Sequence, residues 1–439
     1  MKTIPLFILV LVTGVCAAFA ADSAKQASGS AAASSSADAG SKSAQKGTSS
    51  LRFVRNTTGL EFIDSSFENA SPVWYEEASD RSIQVHLRYD QGRASPNRSA
   101  GHVHILLHAK PGAKLTLEFL NLENVRDGIR RWTADSIKLM VVSENGRDWK
   151  PVPTDIIEGK RLRLTVEMTG PRLYVARVEP YRLSDLDGFL ASIAANPLVQ
   201  ITPIGKTVQG RTLEIVRVGN PQAPYRAFLR ARAHPWEPGG NWIVQGLIRR
   251  LMAGDAAAKT FLGRYCVYVM PMANKDGVVH GFTRFNPQGK DLNRDWDRPA
   301  DERFAPENAA LEKWLEGMIA AGHKPHLAIE LHNDGAGRLH TSRLTGPELP
   351  RYLERMARLE ALLRQHTWFT EGFAAGFGEV STLGDGWQER YQIDAVVHEF
   401  NSNWIEGLQD YPSGKHWETY GANLATVFHE YFGSLASGR

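Results

Sequence analysis

The sequence predicts an α/β domain, in which helices flank a sheet, preceded by an antiparallel β-sandwich. Short runs of alternating apolar and polar residues, separated by turn residues, extend from Leu51 to about Tyr181 and are typical of sandwich strands. From about residue 184, apolar strands alternate with longer helical stretches, which indicates parallel pairing with helices on both faces. A length of 439 residues also favours two domains over one ordinary core.

The first 50 residues are predicted to precede both domains. Lys2, the apolar run IPLFILVLVTGV and the small residues of AFA are typical of a secretory signal that is removed after about Ala20. A lipoprotein signal needs a small residue before Cys16, where Val15 stands, so simple secretion is favoured. Residues 21–50 are almost wholly Ala, Ser, Gly and Lys, and such a segment buries too little apolar surface to offset its ordering entropy.

The predicted organisation therefore has four parts. They are a signal peptide (1–20), a disordered Ala/Ser-rich tether (21–50), a β-sandwich accessory domain (51–183) and a C-terminal α/β domain (184–439). We expect an exported protein, periplasmic or secreted, with no transmembrane segment after signal cleavage.

Composition excludes several classes of partner and of structure. The formal net charge is +3, and +2 after loss of Lys2, which argues against nucleic acid or an anionic membrane surface. Cleavage would leave Cys266 alone, so no disulfide framework is predicted. The sequence does not indicate an oligomeric state.

Polar side chains follow or close three predicted strands. His234 and Glu237 come after the strand that ends at Ala233, His332 follows HLAIE, and Glu399 closes QIDAVVH. Ligands of open α/β sheets bind beyond the carboxyl ends of the strands, so we expect these four side chains at one edge.

The stretch HPWEPGGNW suggests how two of them are presented. Pro235 disfavours helical geometry at His234, and Pro238 suits the first position of a following helix, so a sharp strand-to-helix turn is predicted. A lone His-x-x-Glu is a weak signal and also fits a kinked loop, but His332 strengthens it. Two histidines and one carboxylate leave a fourth position open, as catalytic zinc requires.

We therefore predict one Zn²⁺ per chain, bound by His234, Glu237 and His332. The pKa of a zinc-bound water falls from about 15.7 toward about 7, and Glu399 is the candidate base that accepts its proton. A strand-end carboxylate in a surface salt bridge is the alternative for Glu399.

Six segments, taken together, resemble the zinc metallocarboxypeptidases in order and spacing. They are GKTVQGR at 205–211, ARAHPWEPGG, PMANKDGVVHGFTR, DLNRDW, ELHND and VVHEF. The preceding sandwich resembles the N-terminal domain of the cytosolic-carboxypeptidase-like subfamily, including its bacterial members. The resemblance implies a carboxypeptidase-type mixed sheet and supports the zinc set and the base Glu399.

The resemblance also implies roles in substrate binding. Arg284, in GFTR, would polarise the scissile carbonyl and stabilise the oxyanion, while Asn293 and Arg294 would grip the terminal carboxylate of the substrate. Asp291 would orient the zinc ligand His234. Guanidinium groups suit these tasks because they bind carboxylates bidentately and meet developing negative charge. A surface loop with solvated side chains is the alternative for these residues.

The chain departs from the family pattern at several positions. Lys275 stands in place of a turn proline, and Asp295 in place of an asparagine beside the carboxylate clamp. Glu330 and Asn333 replace the Asp and Gly that flank the second histidine. No spacing identifies a tyrosine that caps the substrate, although Tyr391 lies near the relevant strand.

The leading hypothesis is a zinc carboxypeptidase that removes the C-terminal residue of peptides or proteins. Deglutamylase-like relatives suggest an acidic terminal residue, which basic residues from Arg338 to Arg364 would accommodate. A zinc amidase or deacylase on the same scaffold is a second hypothesis, and a secreted binding protein with an inactive catalytic domain is a third. Serine or cysteine hydrolysis lacks support, because there is no G-x-S-x-G and Cys266 lies in an apolar strand.

Overall fold

The computed structural model describes residues 57–374, 376 and 381–437. The predicted signal peptide (1–20) and tether (21–50) lie outside the described residues. Within them, the chain begins with strands and continues with alternating helices and strands. The boundary between residues 183 and 184 stays a prediction, although the first α-helix begins at Leu183.

The N-terminal part is a β-sandwich. Its strands are β1 (Leu60–Asp64), β2 (Val73–Glu77), β3 (Ile83–Leu87), β4 (Arg98–Ala100), β5 (His104–Ala109), β6 (Lys114–Leu120), β7 (Glu123–Arg126), β8 (Ile129–Trp132), β9 (Leu139–Ser143), β10 (Lys150–Pro153), β11 (Asp155–Ile157), β12 (Arg161–Glu167) and β13 (Arg172–Ala176). Two five-stranded sheets have the orders β1-β5-β13-β9-β10 and β11-β12-β6-β3-β2, and β4-β7-β8 form a third.

The alternation predicted for these strands is observed. In β12, Leu162, Leu164 and Val166 face the core while the residues between them are more exposed, because successive side chains of a strand point to opposite faces. Pairing is antiparallel as predicted, except that β3 and β6 pair in parallel. Three histidines of the sandwich lie on its strands, namely His86 on β3 and His104 and His108 on β5.

The C-terminal part is an α/β fold. Its strands are β14 (Val199–Lys206), β15 (Thr212–Val218), β16 (Tyr225–Ala231), β17 (Tyr265–Met270), β18 (Leu327–Asp334), β19 (Leu339–Thr341), β20 (Phe373–Ala374) and β21 (Asp394–Asn401). Its helices are α1 (Leu183–Ile193), α2 (Gly239–Leu251), α3 (Ala256–Arg264), α4 (Lys275–Val279), α5 (Pro306–Ala320), α6 (Leu349–His366), α7 (Leu383–Tyr391) and α8 (Gly414–Ser437).

The sheet is mixed and flanked by helices, which confirms the predicted fold class. Its order is β14-β15-β17-β16-β18-β21-β19-β20, and the central strands β17, β16, β18 and β21 are parallel. The alternation of strands and helices indicated parallel pairing, but β14 and β15 are antiparallel, as are β15 with β17 and β19 with β21. The link between β14 and β15 is too short for a crossover helix, so these two strands form a hairpin.

Two boundaries differ from the sequence-based expectation. Strand β18 continues past His332 to Asp334, because β21 pairs with it along eight residues. Helix α2 begins at Gly239, so Pro238 precedes the helix as its cap instead of being its first residue. Among the described residues, the helices are all too short or too polar to cross a bilayer.

Helices α2 and α8 cover one face of the sheet and touch at two glycines. A Cβ atom at Gly246 would overlap the carbonyl oxygen of Glu418, and one at Gly421 would overlap the carbonyl oxygen of Ile243. Only glycine therefore allows the two backbones to approach this closely.

This contact predicts opposite effects for two Gly-to-Ala substitutions in helices. Gly246→Ala should lower the free energy of unfolding by about 1–3 kcal/mol, because the helices must separate. Gly317→Ala in α5 is the control, since a Cβ there meets nothing within 4 Å, and it should raise stability by about 0.4–1 kcal/mol. Urea unfolding followed by circular dichroism measures both changes, and equal stability of Gly246→Ala and wild type would contradict the packing.

Candidate metal and catalytic site

The turn after β16 presents His234 and Glu237. Arg232 adopts a left-handed backbone conformation (φ 61°), and its buried guanidinium donates to the carbonyl oxygen of Pro235 at 2.7 Å and to Asn241 Oδ1 at 3.0 Å. Burial lowers the pKa of Arg232 to about 9, although Glu237 favours its charged form. The predicted strand-to-helix bend is therefore held by an internal arginine as well as by the two prolines.

The structure brings His234, Glu237 and His332 together. One potential ligand atom of each lies within 4.8 Å of the others, and all three residues are buried. The Nδ1 atom of His234 is 2.9 Å from Glu237 Oε1, and the Nδ1 atom of His332 is 2.6 Å from Glu237 Oε2. Both imidazoles therefore direct the same ring nitrogen toward one carboxylate.

The Nε2 atoms of the two histidines are engaged on the other side. His234 Nε2 is 3.1 Å from Asp291 Oδ1. His332 Nε2 lies 3.0 Å from Asn293 Nδ2 and 3.3 Å from Glu330 Oε1. Such outer contacts fix the tautomer and orientation of metal-binding imidazoles.

These residues fit a zinc ion. Two imidazole nitrogens and a carboxylate are a donor set typical of catalytic zinc, and the second contacts leave both Nδ1 atoms available. Burial lowers the pKa of His332, but Glu237 and Glu330 outweigh it and hold that pKa well above the ordinary value. The same contacts hold the pKa of Glu237 well below its ordinary value despite burial. Zinc would replace the proton that these groups share.

Glu399 lies beside the trio. It pairs in register with His332 across β18 and β21, and its Oε2 atom is buried without a hydrogen-bond partner among the described residues. Burial raises its pKa well above the ordinary value, with Asp334 and Glu237 adding to the shift and His332 and Arg284 opposing it. The alternative of a surface salt bridge does not fit this buried position.

Asp291 connects His234 to Arg284. Its Oδ2 atom accepts a hydrogen bond of 2.7 Å from Arg284 Nε, while its Oδ1 atom faces His234. Burial opposes the charge of Asp291, but Arg284, Arg294 and His234 hold its pKa well below the ordinary range. Asp291 thus orients both a candidate zinc ligand and a candidate oxyanion donor.

Asn293 and Arg294 follow Asp291 directly. The Asn293 amide nitrogen lies 3.0 Å from His332 Nε2, and its Oδ1 atom accepts from the backbone N–H of Leu383 at 2.9 Å. These bonds make Asn293 a support for His332, while its implied role in gripping a carboxylate stays a prediction. Arg294 is nearly buried, donates to the carbonyl oxygen of Asn293 at 2.6 Å, and lines a cavity of about 650 Å³.

The sandwich braces the segment that carries Arg284. Asp90, between β3 and β4, accepts hydrogen bonds from the backbone N–H groups of Arg284 and Phe285, both at 3.0 Å. The backbone N–H of His102 donates to Thr283 Oγ1 at 3.0 Å. Sequence patterns do not reveal this support, because the contacts join residues about 180 to 195 positions apart and follow no motif.

The departures from the family pattern have local partners. Lys275 forms a buried ion pair with Glu214 at 2.7 Å. Asp295 pairs with Lys290 and with Arg298, so its charge beside Arg294 is compensated.

Two further positions are explained by their contacts. Glu330 pairs with the buried Arg230, whose Nε lies 2.8 Å from Glu330 Oε1. Tyr391 ends α7, and its hydroxyl donates to Glu316 at 3.1 Å. The contacts of Tyr391 give no support for a capping role.

Comparison with known sequences identifies the same family as the motifs. A family profile described as zinc carboxypeptidase matches residues 188–328. An uncharacterized protein of Zymomonas mobilis is 32% identical over 170 residues, which are 38% of this chain and 43% of that protein. Cytosolic carboxypeptidase 2 of Homo sapiens is 30% identical over 142 residues, which are 30% of this chain and 16% of that protein. The chain therefore matches less than half the length of these relatives.

Two solved structures share the fold. A metallo-carboxypeptidase from Burkholderia cenocepacia superposes with a TM-score of 0.73 at 21% identity, over 85% of this chain and 99% of that chain. A metallo-carboxypeptidase from Pseudomonas aeruginosa, in complex with (2-guanidinoethylmercapto)succinic acid, gives a TM-score of 0.68 at 21% identity, over 84% and 98%. The resemblance inferred from the motifs is confirmed.

The bracing by Asp90 predicts a pH-dependent contribution to stability. Burial raises the pKa of Asp90 from 3.8 to about 6, although three hydrogen bonds from backbone N–H groups lower it. Folding therefore favours the protonated carboxyl of Asp90. The stability that this protonation contributes is complete below pH 3.8 and is lost as the pH rises through about 6. The stability difference between wild type and Asp90→Ala should shrink by about 2 kcal/mol from pH 4.5 to 7.5.

Urea unfolding at the two pH values checks this expectation. Asp80→Ala is the control, because hydrogen bonds from Ser82 lower the pKa of this exposed carboxyl and its contribution should change in the opposite direction. A difference for Asp90→Ala that grows with pH would show that hydrogen bonding outweighs burial.

Proposed function

We propose that this protein is a zinc-dependent carboxypeptidase that hydrolyses the C-terminal residue of peptides, because a zinc carboxypeptidase profile matches residues 188–328. The observation that carries the proposal is the buried His234, Glu237 and His332 trio with Glu399 beside it. One zinc ion per chain would be held by that trio. It would act as a Lewis acid and lower the pKa of a water molecule.

Glu399 would act as the general base and acid. It would accept the proton of the attacking water and deliver it to the leaving amine. Burial raises its pKa above the ordinary value, so Glu399 accepts a proton more readily than an exposed carboxylate does. The unpartnered Oε2 atom supports this role, because it is available for a water molecule.

Arg284 would stabilise the developing oxyanion. Its Nε atom is held by Asp291, and its backbone is held by Asp90, so the remaining N–H groups are preorganised. Donors that are fixed before the reaction act strongly in a site with little water.

Arg294 and Asn293 would select peptides with a free terminal carboxylate. Arg294 lines the cavity next to Asp291, and a guanidinium there matches the planar geometry of a carboxylate. Asn293 would contribute through its contact with His332, and its backbone carbonyl oxygen would hold the Arg294 guanidinium in place.

We further propose a preference for an acidic terminal residue. The wall of the same cavity includes Arg126 and Arg343, whose carboxylate neighbours Asp127 and Asp385 lie at 3.7 and 3.6 Å. Their guanidinium groups would meet a second substrate carboxylate on that wall, beside Arg294.

Few of the other arginines first considered for this preference support it. Among Arg338 to Arg364, Arg343 lines the cavity, whereas Arg355 and Arg364 form ion pairs with Asp394 and Glu360.

We also propose that the protein is exported to the periplasm or the medium. This proposal rests on the predicted signal sequence, which lies outside the described residues.

Glu399→Gln should abolish hydrolysis while leaving the fold intact. Loss of general acid and base chemistry lowers kcat/KM by about 10²–10⁴-fold. Zinc-loaded protein is incubated with peptides that end in Glu, Gln or Lys, and the loss of the last residue is followed by mass spectrometry. Removal of zinc with a chelator should stop hydrolysis, and added zinc should restore it.

The exposed Glu354→Gln in α6 is the matched control and should retain full activity. If wild type trims no peptide, or Glu399→Gln trims as fast, the carboxypeptidase assignment is wrong. Faster release of Gln or Lys than of Glu would refute the acidic preference alone.

Arg294→Ala separates the carboxypeptidase from the amidase or deacylase alternative. Loss of a charge-assisted carboxylate contact of about 1.5–3 kcal/mol should lower kcat/KM by about 10- to 100-fold for free-acid peptides. Rates on the matching C-terminal amides, measured in parallel, should stay low and unchanged. The exposed Arg303→Ala serves as control. Rapid cleavage of amides by wild type would favour the amidase.

A further inference from the structure

Arg177 reaches the metal centre from the sandwich. It follows β13, and its backbone N–H donates to the carbonyl oxygen of Val103 at 2.9 Å. The residue is 3% exposed, and its guanidinium carbon lies 3.7 Å from the centre of the Trp236 ring. Its Nη1 atom is buried without a hydrogen-bond partner among the described residues. A buried guanidinium with an unmatched donor is costly, so simple packing does not explain it.

The charges around Arg177 belong to the catalytic domain. Burial lowers its pKa to about 10, and the carboxylates that favour its charged form are Glu237, Asp334 and Glu399. By contrast, the carboxylates acting on Arg294 are Asp291 and Glu330. The two arginines therefore act on different groups around the metal trio.

Trp236 transmits the position of Arg177 to a metal ligand. Its indole Nε1–H donates to Glu237 Oε1 at 3.1 Å, and its ring packs against the core of the sandwich. A Cβ atom at Gly101 would lie 2.8 Å from Trp236 Cζ3, so the ring fills its site tightly. The indole is thus fixed by two contacts from the sandwich.

We propose that Arg177 is a positioning residue of the metal centre: it holds the Trp236 indole so that its N–H orients the Glu237 carboxylate. The inference rests on the proposed zinc site and assigns the sandwich a role in building it. The Arg177 guanidinium lies over the Trp236 ring, and the indole N–H in turn donates to Glu237. Arg177 and Trp236 should therefore behave as one unit. Residues behind metal ligands typically change affinity or activity by about 10- to 100-fold when altered.

The test uses variants that separate stacking from charge. Arg177→Lys keeps the positive charge and removes the planar group, while Trp236→Phe keeps a ring and removes the N–H donor. Each should weaken zinc binding about 10-fold, measured by competition with a chelator. The double variant should be no weaker than Trp236→Phe, because Arg177 acts through the indole.

Kinetics with saturating zinc provide a second readout. Both single variants should lower kcat with KM nearly unchanged, since Arg294 lies elsewhere in the site. Arg182→Met is the control, because this partly exposed arginine pairs with Asp185, three residues further along the chain, and should leave zinc affinity at the wild-type value.

The results distinguish failure of the positioning role of Arg177 from failure of the proposed zinc site. Wild-type zinc affinity in Arg177→Lys, or losses that multiply in the double variant, would overturn the positioning role. Tighter zinc binding by Arg177→Met, with Arg177→Lys unchanged, would show that the arginine acts through its charge alone. If wild type binds no zinc, the proposed function itself fails. If an Arg177 variant does not fold, Trp236→Phe still decides whether the indole N–H supports the metal ligand.

Discussion

The register of three parallel strands is the constraint on which the site depends. Ala231 in β16 pairs with Leu331 in β18, and His332 pairs with Glu399 in β21. Because successive side chains of a strand alternate between faces, a slip of one residue would turn His332 away from Glu237. Apolar clusters on both faces of the sheet penalise such a slip, so the core that stabilises the fold also sets the geometry of the site.

Charge compensation is the second requirement, because few of the site residues reach solvent. Seven side chains form a continuous chain in which each contacts a neighbour of opposite charge or one with which it shares a proton. In order, they are Arg230, Glu330, His332, Glu237, His234, Asp291 and Arg284. Removing one member would leave a neighbouring charge buried and uncompensated, which is far more costly than the loss of a surface ion pair. The three donor side chains are consequently held in place by their charged neighbours.

Much of the site follows from local sequence patterns, and the rest does not. His234, Glu237, His332 and Glu399 were placed at one sheet edge because apolar runs identify strands and their ends. The contact of Asn293 with His332 was not foreseen, because amide orientation depends on neighbours such as the Leu383 N–H. The antiparallel edge strands were also missed from periodicity alone, since pairing direction depends on connection length.

The bonds between Asp90 and the Arg284 segment have a consequence for how such proteins diversify. Recombination between homologues near residue 183 would join a sandwich and a catalytic region with separate histories. The hybrid would keep its Arg284 segment in place only if the incoming sandwich supplied an acceptor equivalent to Asp90. Exchange of the sandwich alone would therefore remove part of the support for Arg284.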